Sequence, residues 1–251
     1  MSFILKKVQS DYNKIAKSFS ETRNKPWPEF ELLSKIAFNK KYYPNPDHDQ
    51  KGYSESNSEF QILDLACGNG RLFDFLNSKF SKLIYTGFDN SIELLAQAKQ
   101  KYQLPNFQYG DILEISSENA KFDQIWCIAA LHHIPKKYHQ KAVKEMHRVL
   151  KQNGILVLTV WQLWQWKYFK YIIKSFLKNP FRTKNLFIPW RKGDTKVDRY
   201  CYAFTLKELQ KTFQKSGFEI IDCFSSYKGK KIKPWWKGFN LCLVCQKTCE
   251  S

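Results

Sequence analysis

Residues 62–71 read ILDLACGNGR. An apolar run of this kind predicts a buried strand, and CGNG predicts a tight turn into the helix LFDFLNSKF. Strand, acid, glycine turn and helix together form a cradle for a nucleotide-like ligand. Gly68 and Gly70 let the backbone take positive φ and approach the ligand closely. Working outward, the acids fall at regular places. Asp64 sits on the first strand, placed to hold an ammonium or shape the turn. Asp89 closes the strand KLIYTGFD, nineteen residues after Gly70, where an acid accepts both hydroxyls of a ribose. Asp111 closes NFQYGD, placed to accept from an adenine amine. One such acid could be a helix cap. Three at successive strand ends point to one ligand.

The rest of the chain supports a layered α/β fold. After NFQYGD come a buried strand, FDQIWCIAA, the helix YHQKAVKEMHRVLKQNG, expected to end at its glycine, and the strand GILVLTVW. Strands alternating with helices predict a parallel, doubly wound sheet with helices on both faces. Before it, residues 8–19 carry helical spacing, PWP follows, and a second short helix runs from about Glu29 to Phe38. Residues 39–58 read as a surface loop. Residues 161–200 hold ten Lys or Arg against two Asp, interleaved with aromatic residues. Then come the helix TLKELQKTFQKSG, the strand FEIIDCFS, a basic loop YKGKKIKPWWKG and a last strand, expected to pair as an antiparallel hairpin at the sheet edge. The expected division is one domain over 1–251: an N-terminal helical lid and loop at 1–58, a core at 59–160, an insertion at 161–204, and a C-terminal helix and hairpin at 205–251.

Composition narrows the partners. The 251 residues are 43% apolar and 16% aromatic, enough for a packed core, with a net charge of +18. That charge favours a polyanion, nucleic acid or an anionic membrane surface. The start MSFILKKVQSDYNK has no signal-peptide pattern, and no window has the roughly 18 apolar residues of a membrane span. Seven scattered cysteines read as free thiols in a reducing compartment, hence the cytoplasm. Cys242 and Cys245 form a CxxC, with Cys249 beyond, but they lie on an apparent strand. Residues three apart there face opposite ways, so no metal site is expected.

A dinucleotide cradle would read GxGxxG. This turn instead resembles the acid-x-Gly-x-Gly-x-Gly of class I S-adenosylmethionine-dependent methyltransferases, with Ala66 in place of the first glycine. That resemblance implies a Rossmann-like, seven-stranded, mostly parallel sheet with a reversed last strand. It also implies S-adenosylmethionine as cofactor, with Tyr12 over its methionine end and Ile112 and Ala129 among the binding residues.

Beyond the turn, SETRNKPWP, CIAALHHI, VWQLWQW and IPWRKGDTKVDRYCYAF resemble the wobble-uridine tRNA carboxymethyl methyltransferases. These form the methyl ester of 5-carboxymethyluridine in the anticodon. The resemblance implies that Arg23, stiffened by Pro26 and Pro28 and anchored by Trp27, orients the substrate carboxylate, whose planar oxygens match the guanidinium fork. It assigns His132, Asp198 and Arg199 to the catalytic group and His133 and Trp161 to substrate binding. The partners implied are a tRNA anticodon stem-loop, gripped by the basic aromatic insertion, and a small zinc-binding activator protein. Two other readings stay open: a small-molecule or lipid methyltransferase of the quinone-biosynthesis type, and a noncatalytic RNA-binding subunit with the same fold. The alternative for the segment WKYFKYIIKSFLK is an amphipathic helix on the domain surface or at a membrane interface.

Overall fold

The computed structural model describes residues 2–23, 25–39, 41–42, 60–80, 82–103, 105–192 and 195–248. Most of the loop expected at 39–58, and Cys249, lie outside them.

Two helices come first, α1 (Phe3–Thr22) and α2 (Pro28–Ala37). The alternating core follows: β1 (Phe60–Leu65), α3 (Arg71–Asn77), β2 (Leu83–Asp89), α4 (Ile92–Lys101), β3 (Asn106–Tyr109), β4 (Phe122–Ile128), α5 (His139–Val149) and β5 (Leu150–Trp161). Next come α6 (Phe169–Lys178), the hairpin β6 (Asn185–Lys192) and β7 (Thr195–Tyr202), α7 (Leu206–Gln214), β8 (Phe218–Tyr227), β9 (Lys230–Ile232) and β10 (Asn240–Lys247).

The main sheet has the order β3-β2-β1-β4-β5-β10-β8-β9. The first five strands are parallel, and β10 runs against both of its neighbours, β5 and β8. The mixed α/β Rossmann-like fold with a reversed C-terminal strand is therefore present. Three details differ from the sequence reading. The sheet has eight strands, because three residues of the basic loop pair with β8 as β9. The last strand pairs with β8 as the expected antiparallel hairpin but is its inner member, between β5 and β8, because residues 241–245 are apolar and buried and need cover on both sides. Helix α5 does not end at Gly154. It stops at Val149, since Leu150 pairs with Phe122 in the sheet, and Asn153 takes the left-handed turn at φ 60°.

Each face of the sheet buries its own core. Leu63, Leu156, Leu158 and Cys245 pack with α5 and α7 on one face, and Ile62, Trp126, Val157 and Cys242 pack with α2 and α3 on the other. Cys242 and Cys245 thus belong to opposite cores, as strand geometry requires. Local signals fix the helix starts: the Ser91 hydroxyl accepts from Leu94 N–H at α4, and Thr205 accepts from Glu208 N–H at α7. Such caps contribute about 1 kcal/mol each. The insertion folds as α6 over the β6–β7 hairpin, with Leu163, Leu186, Ile188, Cys201 and Ala203 between them. Helix α1 lies against α4 and β7, so the insertion and the N-terminus meet across the carboxyl end of the parallel strands.

Candidate active site

A cavity of about 720 Å³ opens at that carboxyl end, the usual ligand crevice of a parallel sheet. Its floor is the loop of residues 66–70. Ala66, Gly68 and Gly70 all have positive φ, at 63°, 58° and 75°. Gly68 N–H donates to Asp89 Oδ2 at 2.8 Å, and Ser91 N–H donates to Asp89 Oδ1 at 2.8 Å. Each oxygen keeps a lone pair for another donor. A Cβ on Gly68 would meet only Phe19, 3.9 Å away, so the space above this glycine is open cavity. Gly70 is different: it does not line the cavity, and a Cβ there would strike Phe107 at 2.7 Å. Its role is packing under the turn, which corrects its assignment as a ligand contact.

Asp64 accepts the Tyr85 hydroxyl at 2.5 Å. Burial raises its carboxyl to about 7 and that of Asp89 to about 6. Ile112, Ala129 and Leu94 line an apolar slot beside Asp89. Asp111 stands outside this lining, between Gly110 and Ile112, and its Oδ1 accepts Leu113 N–H at 2.9 Å. Its local turn therefore holds it at the rim, not in the slot where the sequence reading put it.

Tyr12 and His133 form one wall, with the Tyr12 hydroxyl 2.7 Å from His133 Nε2. His133 Nδ1 lies 2.6 Å from the Tyr200 carbonyl, which can only accept, so the proton is on Nδ1 and Tyr12 donates to Nε2. Burial lowers His133 to about 3 and raises Tyr12 to about 12, so both are neutral near pH 7. His132 is fully buried behind this wall, against His133 and Trp161, with no hydrogen-bond partner on either ring nitrogen. It does not face the cavity, which corrects its placement in the catalytic group. His132, His133 and Cys201 bring their ligand atoms within 4.8 Å of one another. However, His133 already commits both nitrogens.

Three arginines enter from different elements. Arg199, on β7, is buried between Trp161 at 4.7 Å and Trp190 at 5.0 Å. Its Nε and one Nη have no hydrogen-bond partner. Arg23 ends α1 and lies over Phe19 at 5.4 Å and Trp190 at 5.7 Å. Its carbonyl accepts from Asn69, 3.1 Å away, tying the segment to the glycine loop. Arg71, first residue of α3, stacks on Trp27 at 4.1 Å. Burial, then the neighbouring guanidinium of Arg23, pulls Arg71 down to about 9. Burial and Arg199 lower Arg23 as well. Three cations so close, without a carboxylate salt bridge among the described residues, make a pocket that favours anions.

Asp198 is a correction. Strand alternation turns it away from Arg199, onto the surface, where it pairs with Arg191 at 2.7 Å. Arg71 and Glu29 are cavity residues that the sequence reading missed. Arg71 could have been found, since it follows GNG directly and opens the helix. Glu29 could not, because only the fold carries α2 over β8 and β10.

The geometry agrees with the comparisons. Residues 62–154 match the family model described as a methyltransferase domain. Over 251 aligned residues the chain is 25% identical to the tRNA (carboxymethyluridine(34)-5-O)-methyltransferase of Schizosaccharomyces pombe, covering 91% of this chain and 93% of that one. The protein is an S-adenosylmethionine-dependent methyltransferase. The methyltransferase is also 31% identical over 179 residues to an uncharacterised protein of Methanocaldococcus jannaschii, covering 66% of this chain and 64% of that protein's length. In fold it is similar to the solved complex of the Haloferax volcanii Trm112 methyltransferase activator with a putative methyltransferase. There the TM-score is 0.61 at 14% identity, with 97% and 99% of the two chains covered.

The cradle of this methyltransferase fits its cofactor. Open space above Gly68 and two half-satisfied carboxylate oxygens on Asp89 suit a ribose diol. The anionic end of an amino acid suits the cationic wall. Among the described residues, no helix is long and apolar enough to cross a membrane.

Proposed function

We propose that the protein methylates the carboxylate of 5-carboxymethyluridine at the wobble position of tRNA, giving the methyl ester. The observation that carries this reading is Arg199, buried between two tryptophans at the cavity wall with donors left over. A guanidinium so placed wants a planar anion.

S-adenosylmethionine supplies a methyl on a sulfonium, which is released as a neutral thioether when a nucleophile takes that methyl. A carboxylate nucleophile is ionised at neutral pH, since its ordinary pKa is near 4. No proton moves, so no general base is required. Tyr12 and His133 fit that chemistry, being a neutral, mutually satisfied pair. The work left to the chain is orientation and exclusion of water. Arg199 and Arg23 hold the carboxylate from two sides, while Trp161, Trp190 and Phe19 keep it dry. The grip must stay short of a tight ion pair, which would stabilise the ground state and slow transfer.

RNA is favoured over a small molecule or lipid by the mouth. Lys167, Lys170 and Lys228 line it. Beside them Trp166, 87% exposed, stacks on Phe169 at 5.3 Å and 8°. Lysines for phosphates and open rings for bases suit a splayed anticodon loop. A noncatalytic role is disfavoured because the floor keeps Asp64, Gly68 and Asp89 in one arrangement. The fold of the Trm112-bound methyltransferase supports a small activator protein as a partner here. Among the described residues, six buried or half-buried free thiols suit the cytoplasm. We also take 1–251 as one working unit.

The test is nucleoside mass spectrometry of carboxymethyluridine-containing tRNA after incubation with the protein and cofactor, with and without activator. New methyl ester supports the reading. Cofactor binding without ester in either arm overturns it.

A further inference from the structure

Glu29 is a carboxylate that the transfer chemistry does not use. It is the second residue of α2, only 4% exposed, and lines the cavity. Its Oε1 accepts from Ser226 Oγ at 3.3 Å and from Asn240 Nδ2 at 3.2 Å. Among the described residues Oε2 has no hydrogen-bond partner and no salt bridge. Burying a carboxylate this way is costly unless something donates to it.

The sheet register shows what lies alongside. Asn240 pairs directly with Trp161 on β5 and with Ser226 on β8. Side chains opposite one another in antiparallel strands share a face, about 5 Å apart. Ser226, Asn240 and Trp161 thus stand in a row across three strands, with Glu29 over one end and Arg199 stacked on the ring at the other. A planar base whose carboxymethyl arm is held by Arg199, beside a Trp161 ring already packed by Arg199 and His132, turns its far edge toward Glu29 and Asn240.

The geometry points to Glu29 as the residue that reads the imide N–H of the uracil ring, with Asn240 holding it for that task. This rests on the wobble-uridine reading above. A uracil presents an N–H at ring position 3, which Glu29 Oε2 accepts. A cytosine presents a bare nitrogen there, and two acceptors face to face repel. Arg71, whose charge feels Glu29, and Lys228 line the same cavity and keep it positive overall, and neither forms a salt bridge to Oε2.

The test uses anticodon stem-loops carrying 5-carboxymethyluridine or 5-carboxymethylcytidine at the wobble position, with the protein and its activator. Variants are Glu29→Gln and Asn240→Ala, each checked for cofactor binding by calorimetry. The wild type is expected to favour the uridine by about 100-fold in kcat/KM, the scale on which an unpaired buried polar group rejects a substrate. In Glu29→Gln, the side-chain oxygen stays with Ser226 and Asn240, so the amide NH2 faces the ring. The preference is then expected to shrink at least tenfold, with cofactor affinity retained. An unchanged preference in Glu29→Gln, or no preference in the wild type, overturns the assignment. Absence of ester on either stem-loop overturns the wobble-uridine reading itself, and this inference with it. A merely structural Glu29 would lower both rates equally and leave the ratio alone.

Discussion

Arg199 and Trp161 face each other at 4.7 Å, one from the inserted hairpin and one from the end of a core strand. The contact joins the inserted hairpin to the parallel strands that carry the glycine turn. It also leaves Nε and one Nη of a cavity-lining guanidinium without a hydrogen-bond partner while two indole rings pack against it.

Arg199→Lys should therefore fail to preserve activity. Lysine keeps the charge but has neither the fork nor the flat faces. We expect kcat/KM for the carboxylate substrate to fall by about 100-fold, with S-adenosylmethionine affinity by calorimetry within about threefold.

Asp198→Ala should do almost nothing. The Asp198–Arg191 pair is exposed on both sides, and such pairs contribute about 0–1 kcal/mol. Activity within about twofold of wild type and a melting temperature nearly unchanged are the expected results. A large loss would mean that the loop beside it carries substrate.

The two glycines of the turn should separate. Gly70→Ala adds a clash with Phe107 to a left-handed backbone, costing about 2–4 kcal/mol in urea unfolding. Gly68→Ala has room and should cost only about 1 kcal/mol of stability. Its methyl fills the cradle, so its larger effect should appear in cofactor affinity.

Asp89 makes binding depend on pH. Its folded value, about 6, lies above the ordinary carboxylate range. Protonated Asp89 thus favours the fold at low pH, and that contribution is lost as pH rises through about 6. Cofactor binding runs the other way, because a ribose diol needs the ionised form. Affinity should strengthen from about pH 5 to about pH 7. Asp89→Asn should weaken it and flatten the dependence, as read by calorimetry at several pH values.

Catalysis without a general base predicts a flat profile. Tyr12→Phe should reduce kcat by no more than about tenfold and leave its pH dependence unchanged above about pH 6. A basic limb that vanishes in the variant would show that the Tyr12–His133 pair moves a proton.

The floor of the site was legible in sequence because its parts lie within one strand–turn–helix unit or at fixed intervals from it. Asp64, Gly68 and Asp89 reach the cavity through local geometry alone. Arg23 and Arg199 came from resemblance, and the fold brings them beside one another. The misplacements share a cause. Asp198, His132 and Asp111 each adjoin a cavity residue in sequence, and a shift of one position on a strand or tight turn points a side chain elsewhere. Glu29 and Asn240 were invisible because they are 211 residues apart and meet only through the reversed strand.

The slot between β5 and β8 has a consequence for synthesis. Both neighbours are made before β10, so the growing chain carries two unsatisfied strand edges until residues 240–247 leave the ribosome. The wall that holds Asn240 is completed at the same moment. A product cut short before Asn240 would have the whole glycine turn and still present an open, aggregation-prone sheet. The strand made after both of its neighbours is thus the one that seals the sheet, and a chain that has not yet reached it offers proteases an open edge.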